Sequence, residues 1–219
     1  MISWAAGLFE GDGSLTERTV KNRKYHSLNI SSTDPDVLEM FQEVVGVGKI
    51  YAADHRNDKI AYLWQIAKRE DIFQVAGGIL PYLGERRSAI FKDRLGISVT
   101  KLEKTSEWAA GLFEAEGSVF SGTPTDRPNR VSIRASLGIS DSDIMMDFFR
   151  IVDTGSICIE NRPGLDLYRW GTSGKGVTKL YEIIGDCLGS RRGEAFTRAF
   201  EMRSAYESNQ KHGNIKVVR

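Results

Sequence analysis

Residues 4–14 read WAAGLFEGDGS and residues 108–118 read WAAGLFEAEGS, with nine of eleven positions identical. Self-similarity of this kind constrains architecture first, because each copy has to build the same supersecondary unit. The echo continues along the chain. Ser32–Leu38 aligns with Ile139–Met145, Val47–Ile50 with Thr154–Ile157, and Leu83–Arg87 with Leu188–Arg192, at offsets between 104 and 107. The 219 residues divide into a first unit, 1–97, a polar linker, 98–106, and a second unit, 107–219.

Each unit reads α-β-β-α-β-β-α-α. Residues 3–12 are predicted helical, with Ser3 as the cap, Trp4 and Leu8 on one face and Gly13 as a left-handed stop. Residues 14–33 read as two strands around a polar turn at Lys21–Arg23, since Leu28 and Ile30 alternate with Ser27, Asn29 and Ser31. Asp34-Pro35 starts a helix that runs to Val45. Strands at 48–54 and 60–67 and helices at 69–80 and 85–95 complete the unit. The second unit repeats the order: helix 106–116, strands within 118–139, helix 141–152, strands within 156–172, and helices near 175–186 and 191–207. The expected class is α+β: two pseudo-two-fold-related units, each a four-stranded antiparallel sheet with helices on one face.

Within the repeat, Gly7 and Gly11 stand four apart on one helix face, as do Gly111 and Ala115. Small residues at that spacing allow two helix backbones to touch. The two motif helices are the natural partners, which makes these four residues the expected interface between the units. Asp12 and Glu116 then fall together at two helix C-termini, where the helix dipoles and mutual repulsion both disfavour carboxylates. A placement made twice calls for a cation. Carboxylates without histidine or cysteine suit Mg²⁺ or Ca²⁺, and Mg²⁺ held between carboxylates and a substrate phosphate suits phosphodiester hydrolysis.

The nine-residue stretches Ala5–Gly13 and Ala109–Gly117 resemble the LAGLIDADG motif, and the whole chain resembles the two-motif, single-chain LAGLIDADG homing endonucleases. The resemblance implies a saddle of two sheets over DNA and divalent-metal-dependent cleavage of both strands across the minor groove, leaving short 3′ overhangs. It makes Asp12 and Glu116 the catalytic acids and metal ligands, with Gly11 and Ala115 as further metal candidates. The implied ion is Mg²⁺, with Mn²⁺ or Ca²⁺ able to take its place. It also implies a basic residue near each scissile phosphate. Arg86 and Arg191 hold those positions, with Arg87 and Arg192 beside them. Arginine clamps phosphate but cannot shuttle a proton, so a family lysine in that role would have no substitute here.

The net charge is only +1, so placement has to supply what total charge does not. Arg18, Lys21, Arg23 and Lys24 cluster on the first strand pair, and Arg127, Arg130 and Arg134 on its counterpart. Alternation turns Arg23, Tyr25, Ser27, Asn29, Lys49 and Tyr51 outward in the first unit. In the second it turns out Arg130, Ser132, Arg134, Ser136, Ser156, Cys158 and Glu160. With Arg18, Arg162 and Arg169 these form the candidate DNA-reading set, of the side-chain types that read base edges and hold phosphates. The two sets differ, so the expected double-stranded target is asymmetric and spans about two helical turns, roughly 20 base pairs. The chain is expected to act as a monomer.

Plainer roles fit other residues. Asp34 and Asp141 read as helix caps, and Trp64 and Trp170 as core. His26, His55 and His212 are scattered, and the two cysteines, Cys158 and Cys187, exclude a disulfide scaffold. No apolar run approaches the ~18 residues that span a membrane, and no signal peptide precedes the first motif. A soluble intracellular protein is expected. Eighteen arginines against twelve lysines argue for a bacterial, archaeal or phage origin over an AT-rich organelle. Three alternatives stay open: a non-cleaving nucleic-acid binder such as an RNA maturase or DNA-binding regulator, an intein-embedded nuclease, and a duplicated scaffold. Two retained acids argue against the first, and the chain ends argue against the second.

Overall fold

The computed structural model describes residues 1–56, 59–123 and 130–213. The repeated motif forms two helices, α1 (Ile2–Asp12) and α5 (Ser106–Glu116), packed against each other. Every residue of α1 from Ser3 to Glu10 is buried, as is every residue of α5 from Trp108 to Glu114. A helix enclosed on all sides needs no polar stripe, which explains why Glu10 and Glu114 are the only charged side chains among these buried stretches. The backbones touch at the glycines. A Cβ on Gly7 would overlap the carbonyl oxygen of Trp108, and one on Gly111 would overlap that of Trp4.

Each motif helix runs directly into a strand. In the first unit β1 (Gly13–Val20), β2 (Arg23–Ser32), β3 (Lys49–Arg56) and β4 (Lys59–Ile66) form an antiparallel sheet in the order β1-β2-β4-β3. The β1–β2 turn uses Lys21 and Asn22, both at positive φ, the geometry that matches the twist of a two-residue hairpin. Helices α2 (Pro35–Val45), α3 (Arg69–Ile79) and α4 (Glu85–Leu95) complete the unit. The second unit repeats this with β5 (Gly117–Gly122), β6 (Ser132–Ile139), α6 (Ser142–Val152), β7 (Ser156–Arg162), β8 (Leu165–Ser173), α7 (Lys175–Ile184) and α8 (Ser190–Gly213), in the sheet order β5-β6-β8-β7. Among the described residues the fold is α+β with eight helices and two four-stranded sheets. No helix among them is long and apolar enough to cross a membrane.

The helices cover one face of each sheet. Leu28, Ile30 and Trp64 bury against them in the first unit, and Ile133, Ala135, Leu137 and Trp170 in the second. Each tryptophan meets a phenylalanine edge-on, Phe41–Trp64 at 4.8 Å and Phe148–Trp170 at 5.1 Å between centroids. Their indole N–H groups donate to the carbonyls of Val47 and Thr154 at 3.0 and 2.7 Å. Each such buried ring contributes about 1.5–3 kcal/mol by burial alone.

Three local expectations need correction. Ser3 lies inside α1 rather than capping it, and its hydroxyl pairs with that of Thr105 at 2.9 Å. Gly13 is extended, with φ −74, not left-handed. Glycine is required there because the Phe9 ring fills the space of a Cβ, and Phe113 does the same at Gly117. Lys24 does not share the face of Arg18 and Arg23. It turns to the helix side, where Glu17 pairs with Lys24 and His26 at 3.0 Å each. Arg127 lies outside the described residues.

Candidate active site and open sheet faces

Asp12 and Glu116 are the last residues of α1 and α5, so the contact at Gly7 and Gly111 brings both carboxylates to one end of the helix pair. A Cβ on Gly11 would collide with the Ala115 methyl and lie 3.0 Å from Glu116 Cγ, which measures how closely the two ends meet. The acids reach solvent over a packed base that limits their hydration. That desolvation pushes the Asp12 carboxyl up to about 6, with the negative charge of Glu116 as the second cause and Arg192, Arg87 and Arg191 opposing. Glu116 is also raised, again mainly by desolvation, against the pull of Arg87 and Arg192. Two acids held above their ordinary range at one point are a charge-poor site with an unmet demand for positive charge.

Arginines from outside the motif supply part of it. Arg87, on α4, donates to the carbonyl oxygens of Glu10 at 2.7 Å and Gly11 at 3.0 Å, and to that of Gly13. It neutralises the carbonyl end of α1, a role α1 itself cannot fill because its last turn has no basic residue. Glu10 accepts the Gly84 N–H at 2.7 Å and sits 3.1 Å from Arg87 Nε. Burial raises Glu10 and lowers Arg87, while their attraction opposes both shifts. The second unit is looser. Arg192 donates to the Glu114 carbonyl at 3.2 and 3.4 Å and stands 3.8 Å from its carboxylate, and Glu114 accepts the Gly189 N–H at 2.9 Å.

Arg86 and Arg191 are engaged elsewhere. Arg86 clasps both oxygens of Asp141 at 2.7–3.0 Å, and Arg191 donates to Asp34 at 2.6 Å. Asp34 and Asp141 occupy cap positions but make no capping hydrogen bond; their carboxylates take these arginines from the other unit instead. The N–H groups of Glu85 and Ser190 add bonds to Asp143 and Asp36 at 2.9 and 2.8 Å.

The face of each sheet away from the helices is open. In the first unit it carries Thr16, Arg18, Arg23, Tyr25, Ser27, Asn29, Lys49 and Tyr51, placed together by register. Gln65 lies between Asn29 and Lys49 and donates to Asn29 at 2.6 Å; Asn29 donates to Thr16 at 3.2 Å, and Thr16 meets Ser27 at 2.7 Å. In the second unit the open face carries Phe120, Ser132, Arg134, Ser136, Cys158, Glu160 and Arg169. Arg162 and Arg169 both grip Glu160, at 2.9 and 2.7 Å. Arg130 is exposed just before β6.

No family model matches the sequence, and no curated protein does. Solved structures match the fold. The LAGLIDADG meganuclease I-AabMI bound to uncleaved DNA is 16% identical, covers 95% of this chain and 92% of its own, and superposes with a TM-score of 0.71. The LAGLIDADG homing endonuclease I-SmaMI bound to cleaved DNA gives 14%, 98%, 92% and 0.69. I-SmaMI bound to an uncleaved target in the presence of calcium ions gives 13%, 96%, 92% and 0.66. The chain has the LAGLIDADG homing endonuclease fold.

On this LAGLIDADG fold, the motif acids and the small residues beneath them come together, whereas Arg86 and Arg191 are drawn to the unit boundary. Gln65 and Phe120 escaped the sequence reading. Gln65 follows the buried Trp64 on an alternating strand, a signal that was available. Phe120 is apolar and reads as core, and only the register shows it facing outward. Arg87 and Arg192 carried a signal in the repeated Leu-Gly-x-Arg-Arg, but neighbouring residues on a helix face different ways, and sequence does not say which meets the motif.

Proposed function

We propose that this chain is a monomeric, site-specific DNA endonuclease that cuts both strands of a long asymmetric duplex, depends on a divalent metal and leaves short 3′ overhangs. The observation that carries the reading is the juxtaposition of Asp12 and Glu116 at the meeting ends of α1 and α5, beside the partly buried Arg87 and Arg192 and between two open sheet faces. The LAGLIDADG fold and the DNA-bound state of its structural neighbours add support.

The donor set fits Mg²⁺. Two raised carboxylates and the helix-end carbonyls of Gly11 and Ala115 are all hard oxygen. No group of three or more His, Cys, Asp or Glu side chains suited to a metal occurs among the described residues, so a bound ion would also need oxygen from water and substrate phosphate. When bound, the metal supplies an activated water and stabilises the leaving oxygen. Asp12 and Glu116 would hold it in their ionised form. Arg87 and Arg192 maintain positive potential beneath them without exchanging protons. Arg86 and Arg191 are half-exposed and reach phosphates by releasing Asp141 and Asp34. The outward strand residues read the two half-sites in the major groove.

The test is recovery of cleaved sites from a randomised DNA library with Mg²⁺, beside Asp12→Asn and Glu116→Gln. An asymmetric site of about two helical turns, cut by the intact chain alone, supports the reading. Salt-sensitive retention of DNA or RNA without cleavage replaces it with a binding protein.

A further inference from the structure

The two open sheet faces differ at their centres. Across the first, Asn29, Gln65 and Lys49 stand side by side on three strands, and Asn29 and Gln65 belong to the hydrogen-bonded group described above. The repeat places Ser136, Gly171 and Ser156 at the same three positions of the second. The long polar row is reduced there to two hydroxyls and a glycine, leaving a groove of about 770 Å³.

One wall of that groove is Phe120, a residue 56% exposed. Its counterpart Thr16 sits inside the polar group of the other unit. Phe120 stands over Gly122, where a Cβ would come within 2.9 Å of the ring tip, so the missing side chain at 122 gives the ring its place. Arg134 lies opposite Phe120 on β6, with Nε held by Ser132 at 3.2 Å. Arg169, on the far side, is fixed by Glu160. The groove thus combines one apolar ring, a floor of small residues and two oriented cations.

We infer that Phe120 determines specificity by reading the C5-methyl group of a thymine in the major groove of the half-site that the second unit covers. Among base edges only thymine presents a methyl there, and an aromatic ring is a suitable apolar partner for it. The small floor leaves room for the base edge, and Arg134 and Arg169 flank it with charge for phosphate or guanine. The first unit carries amides at Asn29 and Gln65 where the second has its small floor, so the centre of its face reads by hydrogen bonds, while the exposed rings of Tyr25 and Tyr51 lie elsewhere on that face. This inference rests on the proposed DNA endonuclease.

The experiment uses the intact chain and duplexes selected from a randomised library by binding in Ca²⁺. Each half of the selected site is then resynthesised with deoxyuracil for thymine, which removes only the methyl. The expected result is about three- to fivefold weaker binding when a thymine of the half covered by the second unit loses its methyl, the cost of losing roughly one buried methyl. Phe120→Ala abolishes that difference, and Phe120→Leu, which keeps an apolar surface, preserves it. The inference is overturned if neither half responds to uracil, or if Phe120→Ala weakens thymine and uracil duplexes equally. Failure to select any duplex removes the endonuclease reading itself, so the two failures are distinguishable.

Discussion

Arg191 Nε lies 2.6 Å from Oδ2 of Asp34, a residue 157 positions earlier in the other unit, and Arg86 repeats the contact onto Asp141. Both arginines are about half-exposed, while the two aspartates are nearly enclosed. The last helix of each unit is therefore fixed at its start to the opposite unit. A double-mutant cycle on Arg191→Ala and Asp34→Ala, read by urea unfolding, should give a coupling of about 1 kcal/mol, as befits a half-solvated pair. A coupling near zero would show that the pair does not brace the units. If the arginines also reach phosphate, Arg191→Ala should weaken DNA binding more than Asp34→Ala does.

The helix contact gives two glycine predictions of opposite sign. Gly7→Ala puts a methyl into the Trp108 carbonyl, which is backbone and has nowhere to go. The expected loss is about 3 kcal/mol or more, the upper range for overpacking. Gly77→Ala, on α3, meets nothing within 4 Å and should stabilise by about 0.5–1 kcal/mol through helix propensity and a less flexible unfolded chain. Thermal unfolding of both variants checks the pair, and similar shifts in one direction would contradict the contact.

The raised Asp12 sets a pH dependence. Its folded value of about 6 exceeds its ordinary 3.8, so between those values the folded chain holds more protons than the unfolded one, and stability falls as pH rises. Asp12→Asn removes the ionisation. Without metal it should melt above the unaltered chain at pH 7.5, and the gap should close as pH falls towards 4. Activity runs the other way, since a protonated Asp12 cannot hold a cation. Cleavage at limiting Mg²⁺ should decline below about pH 6, and saturating Mg²⁺ should push that decline to lower pH.

The two halves of the site are unequal. Arg87 already donates to the Gly11 carbonyl, Arg192 makes no such bond to Ala115, and the acids differ in length. The two strands should be nicked at different rates, so that a supercoiled plasmid passes through an open-circle intermediate. Strand-resolved kinetics on an end-labelled target check this. Equal rate constants would mean that the differences do not reach the chemistry.

The repeat alone determined the duplication, the order of elements in each unit and the acids that share a site. It could do so because a period of 3.6 or 2 and a pair of small residues four apart are local properties of a chain. Tertiary structure decided the rest. That Gly13 is extended follows from the Phe9 ring, and that Asp34 binds Arg191 rather than its own helix follows from the unit interface. The choice of Arg87 over Arg86 at the motif, and the exposure of Phe120 beside a groove where its counterpart Thr16 is hydrogen-bonded, depend on partners brought in from other elements. No residue type encodes its distant neighbour, and these contacts exist only once the helices and strands have packed.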